Sequence, residues 1–159
     1  MITVMHKPQD DSWYFLSKML LESQQDEEVL VVFDQEIQVR PNQHRIWYFR
    51  GWILSKLQRY EEAIASLDQA LQLRPRHSQS WQNRGLVLLQ LERYEEAIAS
   101  LERVIQIQPD EYQAWYFRGW ALLQLRRNDE ATYEIQQWSL GVPGSASKAD
   151  NTCIPLLIG

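Results

Sequence analysis

Few residues in this 159-residue chain have the types and spacing that chemistry requires. Its three histidines, His6, His44 and His77, are scattered, and none belongs to an HExxH run or an i, i+4 pair. His44 and His77 flank adjacent helix starts and should approach each other, but two ligands without carboxylate or thiolate support seldom hold a metal. The single cysteine, Cys153, lies near the C-terminus, and no glycine-rich phosphate loop or GxSxG elbow occurs. Carboxylate pairs do recur, as Glu61–Glu62 and Glu95–Glu96. Both sit where a helix should begin, and acids there complement the helix dipole, which is a structural role rather than acid/base chemistry. The expectation is therefore a non-enzymatic protein with no catalytic residue, no metal and no cofactor.

The recurrence of those pairs points to the elements that carry them. Arg45 to Pro75 reads RIWYFRGWILSKLQRYEEAIASLDQALQLRP, and a close copy begins 34 residues later. Tryptophans at 13, 47, 81 and 115 and prolines at 41, 75, 109 and 143 keep the same 34-residue period. Two markers holding one period define a repeat array. Within each copy, Trp47, Gly51, Leu54 and Leu57 fall on one side of a first helix, and Ala63, Leu67, Ala70 and Leu71 on one side of a second. Leu57–Gln58–Arg59 reads as the turn between them, and Pro75 ends the pair because proline cannot continue a helix. A lone pair cannot bury all its apolar faces, so neighbouring pairs must stack.

The period, with tryptophan at position 4, small residues at 8 and 20, and proline at 32, resembles the tetratricopeptide repeat family over roughly residues 10 to 145. The resemblance implies an all-α fold, a right-handed α-solenoid of four stacked antiparallel helix pairs. The units are 10–43, 44–77, 78–111 and 112–145, with a lead at 1–9 and a tail at 146–159. Unit one is a worn terminal copy, with Ser17 for the glycine and Val29 for the alanine. Val29 is expected to push its two helices slightly apart. In unit four, Ile135 and Trp138 need cover; the CIPLLIG tail is expected to fold over them, to be disordered, or to enter a neighbour's groove.

The resemblance also assigns surfaces. The tryptophans occupy the family's packing position and are expected in the core. Groove positions fall on Tyr14, Phe15 and Lys18; Tyr48, Phe49, Trp52 and Lys56; Gln82, Asn83, Leu86 and Gln90; and Tyr116, Phe117, Trp120 and Gln124. The identical WYFRGW segments in units two and four would flank a central Gln82–Asn83 step with aromatic rings. Four such rings left in water expose on the order of 600–1,000 Å², more than a monomer tolerates. Either curvature tucks them between helices or something apolar covers them: a peptide, another copy of the chain, or its own tail. The family's best-known clamp for an acidic C-terminal peptide uses lysine, asparagine and arginine. Here only Lys18 and Asn83 match it, and an apolar or aromatic protein ligand fits better. Arg50, Arg84 and Arg118 stand where the family has leucine and are expected to pair with acids such as Asp68 or Glu102.

Function is thereby expected to be that of a scaffold binding a partner protein or peptide. The RG and YEEAIAS segments also resemble bacterial family members, some of which help assemble membrane complexes. A self-associating module, with groove or tail against another copy, is the alternative. A formal charge of −5 and a pI near 5.2 disfavour nucleic acid. No apolar run approaches the ~20 residues of a membrane span, the N-terminus lacks a secretory apolar core, and one cysteine suits a reducing compartment. A cytoplasmic protein is expected.

Overall fold

A computed structural model describes residues 25–126, together with Lys18 and Glu22. The described residues form six helices: α1 (Asp26–Val39), α2 (His44–Lys56), α3 (Tyr60–Leu73), α4 (Ser78–Gln90), α5 (Tyr94–Ile107) and α6 (Tyr112–Gln124). Trp13, Tyr14, Ser17, Ile135, Trp138, Cys153 and the tail, with the expectations attached to them, lie outside the described residues.

Two different stops punctuate the array. Helices α1, α3 and α5 end at a residue that precedes proline: Arg40, Arg74 and Gln108, with φ between −135° and −140°. The ring of Pro41, Pro75 or Pro109 disfavours the helical conformation in the residue before it. Helices α2, α4 and α6 end instead in a left-handed residue, Gln58, Glu92 and Arg126, at φ of 59°, 57° and 59°. That conformation turns the chain sharply enough for Arg59 N to donate to Leu54 O, and Arg93 N to Leu88 O, both at 2.9 Å. The expected turn at Leu57–Gln58–Arg59 is present.

Each helix packs on the next in sequence, and α2, α4 and α6 also touch one another in succession. Among the described residues, helices α1, α3 and α5 make no such contacts with one another. The stack therefore bends with the α2/α4/α6 row on its inner side, as a helical solenoid does. One core runs from Val29, Leu30 and Phe33 through Ile53, Leu54, Ala63 and Ile64 to Val87, Leu88, Ala97, Ala121 and Leu122. A smaller cluster of Leu101, Val104 and Ala114 joins α5 to α6.

Glycine sets the spacing within a pair. A Cβ built on Gly51 would lie 2.8 Å from Leu67 Cγ and 3.1 Å from the carbonyl oxygen of Ala63. On Gly85 it would meet Leu101 Cγ at 3.0 Å, but the Ala97 carbonyl only at 3.6 Å. The first site is hemmed in by backbone, the second by a side chain that can shift. Gly51→Ala should therefore cost about 1–3 kcal/mol, more than the ~0.5–1 kcal/mol alanine returns in helix propensity. Gly85→Ala should cost less, so urea unfolding should give the lower midpoint for Gly51→Ala; the reverse order would contradict this packing.

Candidate functional site

The inner face is held in place by two repeated polar contacts. In the first, an indole N–H donates to the carbonyl of the proline six residues earlier: Trp47 to Pro41 at 2.8 Å, Trp81 to Pro75 at 2.8 Å, and Trp115 to Pro109 at 2.9 Å. These tryptophans, expected in the core, are only half-buried. The reason is this bond, which draws the indole edge to the loop and the boundary of the pair. It also means that the tryptophan and proline periods are one interaction read twice.

The second contact crosses between pairs. Arg50 Nε donates to Asp34 Oδ1 at 2.8 Å, and its Nη1 to Ser66 Oγ at 2.7 Å. Arg84 repeats this with Asp68 at 2.7 Å and Ser100 at 2.8 Å. Arg118 Nη2 reaches Glu102 at 2.6 Å. The expected pairing with acids is present; the part played by Ser66 and Ser100 is an addition to it. Each serine is essentially inaccessible, accepts from the guanidinium, and donates to the Glu62 or Glu96 carbonyl at 3.0 Å, so the buried hydroxyl is satisfied.

The recurrent carboxylates are likewise taken. Arg59 grips Glu62 at 2.7 and 2.8 Å, and Arg93 grips Glu96 at 2.7 and 2.8 Å while reaching Glu61 at 3.3 Å. These hydrogen bonds hold the Glu62 and Glu96 carboxyls below the usual range. A general acid needs the opposite displacement.

The expected groove positions of units two to four sit on α2, α4 and α6; Tyr14 and Phe15 lie outside the described residues, and Lys18 precedes α1. Tyr48, Phe49, Trp52, Gln82, Asn83, Tyr116, Phe117 and Trp120 are all half-buried, while Gln124 and Lys18 are exposed. The wide aromatic exposure expected from WYFRGW is reduced by packing. Phe49, Trp52, Phe117 and Trp120 lean on the core. Phe33 stacks on Phe49 with centroids 6.4 Å apart, and Tyr94 meets Trp120 edge-on at 5.8 Å. Lys56 Nζ lies 5.6 Å from the centroid of the Trp52 ring and pairs with Asp26 at 3.0 Å. The large apolar side chains that stand open are instead Val31, Val39, Leu73, Tyr112 and Leu123. Tyr48 and Tyr116 each meet the neighbouring phenylalanine edge-on, at 5.1 and 5.3 Å.

Between the two aromatic sets, Gln82 Nε2 donates to Gln113 Oε1 at 3.0 Å, tying α4 to α6. Burial pushes the Tyr48 phenol up, and the adjacent Asn83 side chain offsets this in part. Asn83 Nδ2 is buried without a hydrogen bond of good geometry. It faces the phenol closely enough to influence its charge but is not aligned to donate fully.

His44 and His77 do meet, edge-on at 5.1 Å, and Tyr48 meets His77 at 5.0 Å. Among the described residues no group of three or more histidine, cysteine or acidic side chains could hold a metal. Burial, then His44 and Arg74, lower His77 to about 4; burial, Arg74 and Arg45 also lower His44. Arg74 Nη1 lies 3.3 Å from His44 Nε2. Arg74 and Gln113 were not among the expected site residues; the recurring Arg-Pro pairs at 40–41 and 74–75 were the available signal for the first.

A folded chain that resists charging His77 loses stability when the unfolded chain can take up that proton first. Stability should thus fall as pH drops from about 6.5 towards 4, a window set by the ordinary and the lowered value of His77. His77→Gln should flatten the decline of melting temperature across that window. An unchanged slope would show that His77 titrates freely.

The chain's sequence matches the tetratricopeptide repeat family model over residues 32–78, 48–112 and 83–138. No curated protein matches. Among solved structures, a MamA double mutant of strain RS-1 superposes with a TM-score of 0.79 at 26% identity, covering 84% of this chain and 75% of that one. MamA from residue 41 to its end, from Desulfovibrio magneticus RS-1, gives 0.78 at 26% identity with the same coverage. Another MamA structure gives 0.79 at 18% identity, covering 82% and 77%, which speaks for the fold alone. Helix pairs on a 34-residue period, proline stops and an inner row of first helices accord with those matches, and the chain belongs to the tetratricopeptide repeat family of protein-interaction scaffolds.

Proposed function

We propose that the inner face of α2, α4 and α6 binds an extended segment of a partner protein and so brings that partner into a complex. The observation that supports this most is the unfinished state of the face. Tyr48, Trp52, Tyr116 and Trp120 keep part of their surface open in a row built by direct contact of successive first helices. Asn83 stands between them with a buried, unaligned amide nitrogen. A buried polar group without a good partner is costly, and a backbone carbonyl of a bound segment would satisfy it. Rigid rings on a helical scaffold give contact area at little entropic cost.

Tyr48 and Tyr116 are the positions to test, because Trp52 and Trp120 also lean on the core. A photocrosslinking residue at Gln124 on the inner row should label a partner in the native host, whereas one at Val31 should not. Tyr48→Ala with Tyr116→Ala should leave helical content intact and weaken that capture by roughly 10- to 100-fold. Equal labelling from Val31, or full capture by the folded double variant, would remove the groove from the account. A crosslinked product of twice the chain mass would assign the face to self-association instead.

A further inference from the structure

Where α2 and α4 begin, basic groups crowd together in a chain whose net charge is −5. His44 opens α2, His77 immediately precedes α4, and their rings are in edge contact. Arg74 Nη1 points at His44 Nε2 from 3.3 Å rather than at an acid. Arg45 adds its charge next to His44, and Arg76 stands exposed beside His77. His77 Nδ1 is engaged by Ser80 Oγ at 2.7 Å. The titratable groups that act on His44 are Arg74 and Arg45, and those on His77 are His44 and Arg74. All are basic, and among the described residues no Asp or Glu is hydrogen-bonded or ion-paired with either histidine or with Arg74.

The helix ends repeat the imbalance. Helices α3 and α5 start with acids, Glu61–Glu62 and Glu95–Glu96. Helices α2, α4 and α6 all lack an acid in the first turn, and the starts of α2 and α4 adjoin the cluster. A guanidinium that meets a neutral imidazole rather than an acid, beside helix starts that carry no acid of their own, is a place where an anion is favoured.

We propose that the His44–His77–Arg74 cluster is a subsite for one carboxylate, carried by an acidic side chain of the segment that occupies the inner face. This rests on the groove reading above. The guanidinium of Arg74 takes the carboxylate oxygens, the histidine ring edges flank it, and Tyr48 joins the subsite to the groove through its contact with His77. One guanidinium with two neutral imidazoles matches a single negative charge, whereas a polyanion is repelled by the rest of the acidic chain. These residues lie at the loop edge between pairs, not at the groove positions of the family's carboxylate clamp. Because an anion favours the charged imidazole, the bound state takes up protons more readily than the free one.

The chain's three histidines make the test direct, since His6 serves as the internal control. Ring resonances of the full chain are followed by NMR while sodium acetate replaces sodium chloride at constant ionic strength. His44 and His77 should shift saturably with acetate and His6 should not. The pH at which His77 takes up its proton should rise by about one. Arg74→Gln should abolish both effects. Identical responses to acetate and chloride, or equal movement of all three histidines, would overturn the subsite. A response to phosphate with none to acetate would also overturn the carboxylate assignment. Acetate has no side chain for the groove to hold, so a silent titration removes the subsite while leaving the crosslinking result intact.

Discussion

A guanidinium shared between consecutive helix pairs is the contact on which the described array depends. Arg84 binds Asp68 of the pair before it and Ser100 of its own pair, and Arg50 does the same with Asp34 and Ser66. Apolar contacts alone would let one pair slide or rotate on the next, because dispersion is weakly directional. A planar, charged fork with partners on two sides removes that freedom. The serine hydroxyl transmits the constraint to the backbone by donating to a carbonyl one helical turn back. Hydrogen bonds to charged groups of this kind contribute about 1.5–3 kcal/mol each.

That constraint defines the inner row. With the register of α2, α4 and α6 set, their aromatic residues are presented at a repeating spacing rather than collapsed on one another. Packing then divides the rings by role. Phenylalanines and tryptophans lean inward on the core, while Tyr48 and Tyr116 remain between core and solvent. The opposite faces of the same helices carry the glycines, whose lack of a side chain lets Leu67 and Leu101 press close. Close packing on one side and an open row on the other are two consequences of one stacking geometry. No helix among the described residues is long and apolar enough to cross a membrane.

Much of this architecture is legible in the sequence because it depends on local spacing. A 34-residue period, a proline after each second helix and small residues at two positions suffice to place the helices. The turn at Gln58 is legible too, though not that Gln58, Glu92 and Arg126 adopt positive φ without being glycine. Contacts between distant residues are harder to read. The tryptophans look like core because large apolar rings at a packing position usually are; the indole N–H, which seeks a carbonyl, moves them to the boundary. Ser66 and Ser100 look like ordinary helical surface residues. Their co-occurrence with Arg50 and Arg84, set against Leu16 with Val32 in the first unit, is the signal that identifies them. Exposure of the aromatic face is overestimated from sequence because ring partners such as Tyr94 and Phe33 come from neighbouring pairs, which no single-unit reading supplies. The near approach of His44 and His77 can be anticipated from the period; that no acid among the described residues pairs with them becomes visible only once Arg74 is placed.

Native-state hydrogen exchange on Arg84→Met tests the central claim most directly. If the guanidinium couples pairs, losing it should speed exchange of buried amides in both α3 and α5, by roughly 10- to 100-fold, although the substituted residue lies on α4. Acceleration confined to α4, with α3 and α5 unchanged, would show that the pairs are held together by apolar contact alone.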